Sequence, residues 1–73
     1  MSPFSFKTDA KSEQYCREIV DILVTTYGLS RGKALRLLNR GWGYQDFVGE
    51  RDLRYHKGGP EAWAKHIFIH WRR

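Results

Sequence analysis

Three histidines, one cysteine and a cluster of acidic residues are the side chains here whose types could support chemistry. His66 and His70 stand four apart, a spacing that puts two imidazoles on one helix face and can bind a metal ion. His56 and Cys16 could in principle add ligands. No Glu follows His66, however, so the metalloprotease helix pattern is missing. A single Cys also offers none of the paired-ligand spacing of a structural zinc site. The sequence therefore predicts no metal and no cofactor, with His66 and His70 bordering an apolar face and partly solvated. Asp46, Glu50, Asp52 and His56 gather in a glycine-containing stretch, where catalytic residues often sit. Their spacing identifies no reaction, and a charged loop is usually just solvated. Cys16 falls among apolar residues and reads as a small core residue. Neither a P-loop nor a dinucleotide fingerprint is present. A chain this short also has little room for both a core and a ligand pocket of about 300 Å³. No catalytic residue is assigned, and a small hydrolase built on His56 and the acidic loop ranks last among the functions considered.

Charge is the next signal. Lys and Arg number 13 against 8 Asp and Glu, a net charge of +5. The excess is uneven: Arg31, Lys33, Arg36 and Arg40 occur in a stretch with no acid, while Glu13, Glu18 and Asp21 lie earlier. Such a patch attracts nucleic acid, anionic lipid or an acidic protein, and it also simply keeps a protein soluble. Residues 20–39 resemble the helix-turn-helix family. They offer a helix, Gly28 in the turn, apolar Leu29, Ser30 opening a second helix, then Ala34 and Leu37 facing in. The resemblance implies that Ser30, Arg31, Gly32, Lys33, Arg36 and Asn39 face a DNA groove, with Arg and Asn suited to guanine and adenine edges. Two departures stand against it: Val24 occupies a position that is usually small, and Leu35 would point at the groove. An ordinary αα-hairpin needs the same glycine turn, serine cap and apolar spacing.

Aromatic residues are the third signal. Trp42, Tyr44, Phe47, Tyr55, Trp63 and Trp71 exceed what three short helices need as filling, so Trp42, Tyr44, Tyr55 and Trp63 are expected at a surface. Trp, Tyr and Arg dominate binding hot spots, and rings interleaved with cations also suit single-stranded nucleic acid. A loop-pinning minicore would use the same rings. Trp42, Gln45-Asp46-Phe47, His56 and Glu61-Ala62-Trp63-Ala64 resemble a group of small bacterial proteins of unknown function. That resemblance covers about a third of the chain and implies that the aromatic loop and last helix form one unit. It implies no activity or substrate.

The elements that must position these groups follow from size and periodicity. Seventy-three residues make one domain, with 41% hydrophobic and 15% aromatic residues arguing for a folded chain. One Cys excludes an internal disulfide. No signal-peptide pattern and no apolar run of about 18 residues occurs, so the expected location is the cytoplasm, off the membrane. The expected fold class is all-α: a three-helix domain over about residues 10–27, 31–40 and 60–72, with an ordered aromatic loop at 42–59 and a flexible arm at 1–8. Tyr15, Cys16, Ile19, Val20, Ile22, Leu23, Thr26 and Tyr27 share one face of the first helix at 3.6-residue spacing. Thr8, Asp9 or Ser12 can cap its start, and Gly28 stops it. Ala34, Leu35, Leu37 and Leu38 face inward in the second helix, with Gly41 read as its stop. Pro60 and Glu61 suit the first turn of the third helix, whose stripe is Trp63, Ala64, Ile67, Phe68 and Trp71, with Ile69 off it. Of Phe4 and Phe6, one is expected to anchor on the core. Within the loop, residues 44–48 fit one helical turn, and residues 53–56 alternate like a strand that lacks a partner.

These features predict a non-enzymatic binding module. It would recognise an acidic or helical protein partner, or a second copy of itself, through a basic and aromatic surface. The candidate residues are Arg31, Lys33, Arg36, Asn39 and Arg40, with Trp42, Tyr44, Tyr55 and Trp63. The alternative is a helix-turn-helix protein that binds DNA.

Overall fold

The computed structural model describes residues 3–43 and 58–71. It is an all-α, three-helix domain: α1 spans Ala10–Thr25, α2 Arg31–Trp42 and α3 Gly59–His70. No strand runs through the described residues. Helix α1 packs against both other helices, and more extensively against α3. Expectations for residues 44–57, including the short turn at 44–48 and the strand-like residues 53–56, lie outside the described residues.

Local chemistry accounts for the boundaries. Asp9 is the N-cap of α1, its Oδ1 accepting from the Ser12 N–H at 2.8 Å. Ser12 is thus the third helical residue and wholly buried, not the cap. Helix α1 gives way at Thr26, and Gly28 reverses the chain at φ 72°, a left-handed conformation that glycine reaches without a Cβ clash. The Leu29 N–H donates to the Leu23 carbonyl at 3.1 Å and closes the reversal. Ser30 caps α2 by accepting from the Lys33 N–H at 3.1 Å.

The shared apolar seam lies between these helices. Ile19, Leu23 and Leu38 are fully buried and Leu37 is 6% exposed. Cys16 is fully buried too and behaves as a small apolar residue. Ala64 and Ile67 close the seam from α3, while Ile22, Val24, Tyr27, Leu29, Leu35, Trp63, Phe68 and Trp71 pack around its edge. Tyr27 stacks on Phe68 with ring centroids 4.6 Å apart, tying the end of α1 to α3.

Two expectations are corrected here. Gly41 does not stop α2; it lies inside the helix, which continues to Trp42. A Cβ at Gly41 would run into the Trp71 ring, so the glycine permits close approach of that indole. The arm is also not free over the residues described. Phe4 and Phe6 are both buried, at 7% and 5% exposure, with ring centroids 5.3 Å apart. Asn39 clamps the arm, its Oδ1 accepting from the Ser5 N–H at 2.8 Å and its Nδ2 donating to the Pro3 carbonyl at 3.2 Å.

Candidate functional site

Helix α2 carries the basic candidates, and the structure divides them. Arg31, Lys33, Arg36 and Arg40 are all exposed. Arg31 is tied back to α1, its guanidinium 2.6 Å from Asp21 Oδ1 in an exposed ion pair. Arg40 donates to the Trp71 carbonyl at 2.8 Å and so caps the end of α3. Asn39 is half-buried, and both ends of its amide serve the arm. Its assignment as a groove-facing residue is therefore corrected: turning that amide outward would break two bonds and loosen Phe4 and Phe6. Lys33 and Arg36 are different. Neither side chain bonds to any described residue, and the two are three apart on an exposed helical face. Open space lies beside Gly32, where a Cβ would touch nothing within 4 Å.

The aromatic candidates are also redistributed. Trp42 is 5% exposed and belongs to the core, not to a surface. Its ring meets Phe6, Trp63 and Trp71 edge-on, with centroids at 6.1, 5.1 and 5.7 Å. Trp42 and Trp63, expected to spill outward, instead join Phe6 and Trp71 in one interlocked cluster at the C-terminal end of α2. Trp63 and Trp71 are half-buried in it and keep one flank each toward solvent. Tyr44 and Tyr55 lie outside the described residues, as do His56, Asp46, Glu50 and Asp52. Leu35 is half-buried against the core, so it does not stand out toward a groove as the helix-turn-helix pattern would require. Ile69 is 56% exposed, an isolated apolar side chain on the outer face of α3.

Shallow recesses mark the surface of the described residues. One, of about 390 Å³, is lined by Leu37, Arg40, Gly41, His70 and Trp71. Another, of about 370 Å³, is lined by Glu18, Asp21, Ile22, Pro60 and Glu61. These volumes exceed what so short a chain was expected to hold, because the recesses are open troughs between helices and not enclosed pockets. The second is acidic where the α2 face is basic, so the described surface is electrically two-sided. No helix among the described residues is long and apolar enough to cross a membrane.

Sequence reasoning missed the pairing of Asn39 with the arm and of Arg40 with Trp71. Both partners lie more than thirty positions away, at separations of 34, 36 and 31. The alternation of Phe4 and Phe6 was the one local signal that the arm docks. No family model, curated protein or solved structure matches this chain.

Proposed function

We propose that the protein is a non-enzymatic binding module that takes an acidic protein partner on the exposed face of α2. The observation that carries this reading is the pair Lys33 and Arg36, exposed and without a bonding partner among the described residues on a helix that has no acid. A cation already held in an ion pair must break it before engaging a ligand. These two need not, and each is free to meet a carboxylate. The trough that Glu18 and Glu61 line supplies complementary charge for a second copy, while its third acid, Asp21, is already held by Arg31, so self-association belongs to the same reading. The reading places the protein in the cytosol.

DNA binding is the second reading. Exposure of Ser30, Gly32, Lys33 and Arg36 along the second helix of a hairpin favours it. Engagement of Asn39 weighs against base-specific contacts, since an amide already bonded twice cannot read adenine. What is left on α2 is a reader of charge.

A titration of ¹⁵N-labelled protein at low salt separates the readings. Polyglutamate is expected to shift the Lys33 and Arg36 resonances, and a Lys33→Glu, Arg36→Glu double variant to abolish the response. A mixed-sequence DNA duplex that shifts α2 while polyglutamate leaves it unmoved would transfer the assignment to nucleic acid. No response of α2 to either polymer would end both.

A further inference from the structure

From the ring geometry on α3 we propose that His66 and His70 together chelate one divalent transition-metal ion of the zinc, nickel or copper type. This site is independent of the α2 face. Both imidazoles are exposed, one helical turn apart, with ring centroids 4.7 Å apart and planes inclined at 45°. An ion about 2.1 Å from one nitrogen of each ring lies about 3.2 Å from each centroid. Ligand angles between about 90° and 110° then demand centroids about 4.5 to 5.2 Å apart. The observed separation lies inside that interval with no change in the backbone.

Three further features favour the ion. Neither imidazole has a hydrogen bond among the described residues, so none there has to be displaced. Exposed imidazoles turn readily about χ2, a broad torsion, which lets one nitrogen of each ring face the ion. The pair occupies the end of α3, with His70 its last residue, where the negative pole of the helix dipole favours a cation. The nearby cations among the described residues oppose the ion only weakly. Lys65 is exposed, and Arg40, which lines the recess beside His70, is turned to the Trp71 carbonyl. Among the described residues no third His, Cys, Asp or Glu converges on the site. Water fills the remaining coordination positions. Imidazole donors without thiolate select borderline ions over magnesium and calcium, which require oxygen. The sequence alone predicts no metal because no Glu follows His66 and no paired-ligand spacing occurs; the ring separation and the exposure of both imidazoles are what change that reading.

The flanking indoles provide the measurement. The Trp63 and Trp71 ring centroids lie 5.8 and 6.1 Å from that of His66, within quenching range of a bound paramagnetic ion. Tag-free full-length protein is titrated with Cu(II) alone and tryptophan fluorescence recorded, with helicity monitored by circular dichroism. Saturable quenching at one ion per chain is expected. It should weaken by at least the roughly tenfold that even an outer-shell change costs in His66→Gln and in His70→Gln, and persist in Lys65→Gln. Magnesium should leave the emission unchanged. Both histidines are exposed, so both variants should keep the wild-type helicity. Zn(II), which does not quench, should shift the His66 and His70 ring protons in NMR spectra. Absence of saturable binding, or equal Cu(II) affinity in wild type and both histidine variants, overturns the proposal.

Discussion

The two halves of α2 contrast sharply although their residue types are alike. The first half, Arg31 to Arg36, presents Gly32, Lys33 and Arg36 to solvent; among the described residues Arg31 alone of its cations has a side-chain ion pair, and that on the surface. The second half, Asn39 to Trp42, is bound into the fold. Asn39 clamps the arm, Arg40 caps α3, Gly41 receives an indole and Trp42 fills the core. Arg36 and Arg40 differ in nothing but their neighbours. Whether a basic residue is a binding group or a structural one is decided by what the rest of the chain brings within reach.

The contrast can be broken most forcefully at Trp42. Trp42→Ala should cost about 3–5 kcal/mol, as large-to-small changes at buried aromatics do. A core of this size supplies about 3–5 kcal/mol in all, so the variant should be largely unfolded by circular dichroism at ambient temperature. Asn39→Ala should cost about 1–2 kcal/mol through its two hydrogen bonds to the arm. Hydrogen exchange should then report lost protection at the Ser5 amide while the centre of α1 keeps its own. Full protection at Ser5 in that variant would show that Phe4 and Phe6 hold the arm without the clamp.

The glycines sharpen the contrast further. Gly32→Ala adds a methyl group to open space in a helix, so it should raise stability by up to about 1 kcal/mol. Gly41→Ala gains the same propensity but drives its Cβ into the Trp71 ring, where overpacking costs about 1–3 kcal/mol. The net result should be a loss of about 1 kcal/mol. Thermal denaturation of both variants tests the sign at each position, and a rise in Tm for Gly41→Ala would mean that Trp71 moves aside freely. The smallest effect belongs to Arg36→Ala. Its stability change should stay within about 0.5 kcal/mol, as for surface changes away from special features. Its cost should appear in polyglutamate affinity, and that affinity should fall as salt rises.

Much of the scaffold was legible because its signals are local. The periodic face from Tyr15 to Leu23, the turn at Gly28, the cap at Ser30 and the start at Pro60 each depend on residues a few positions apart. The candidate surface was less legible because its state depends on distant partners. Asn39 has the composition of a base reader, and only the approach of Pro3 and Ser5 gives its amide another use. Gly41 carries the mark of a helix stop, and only the Trp71 ring explains a glycine that the helix runs through. Counting rings against the helices available to cover them puts Trp42 outside. That comparison omitted Phe6, which the docked arm brings against the indole. The spacing of His66 and His70 was plain from the start. What the sequence lacked was the rotation of each ring and its freedom from other bonds.

The aromatic cluster joins Phe6, Trp42, Trp63 and Trp71, which lie at opposite ends and the middle of the polypeptide. Those partners are far apart in sequence, whereas α1 and α2 meet across a short turn. The entropy cost of closing the long loops to Phe6 and Trp71 falls due before their contacts reward it, so the hairpin is expected to form first and the aromatic corner last. A fragment holding only α1 and α2 would leave Trp42 short of one wall and the groove above Gly41 open, a greasy notch prone to association.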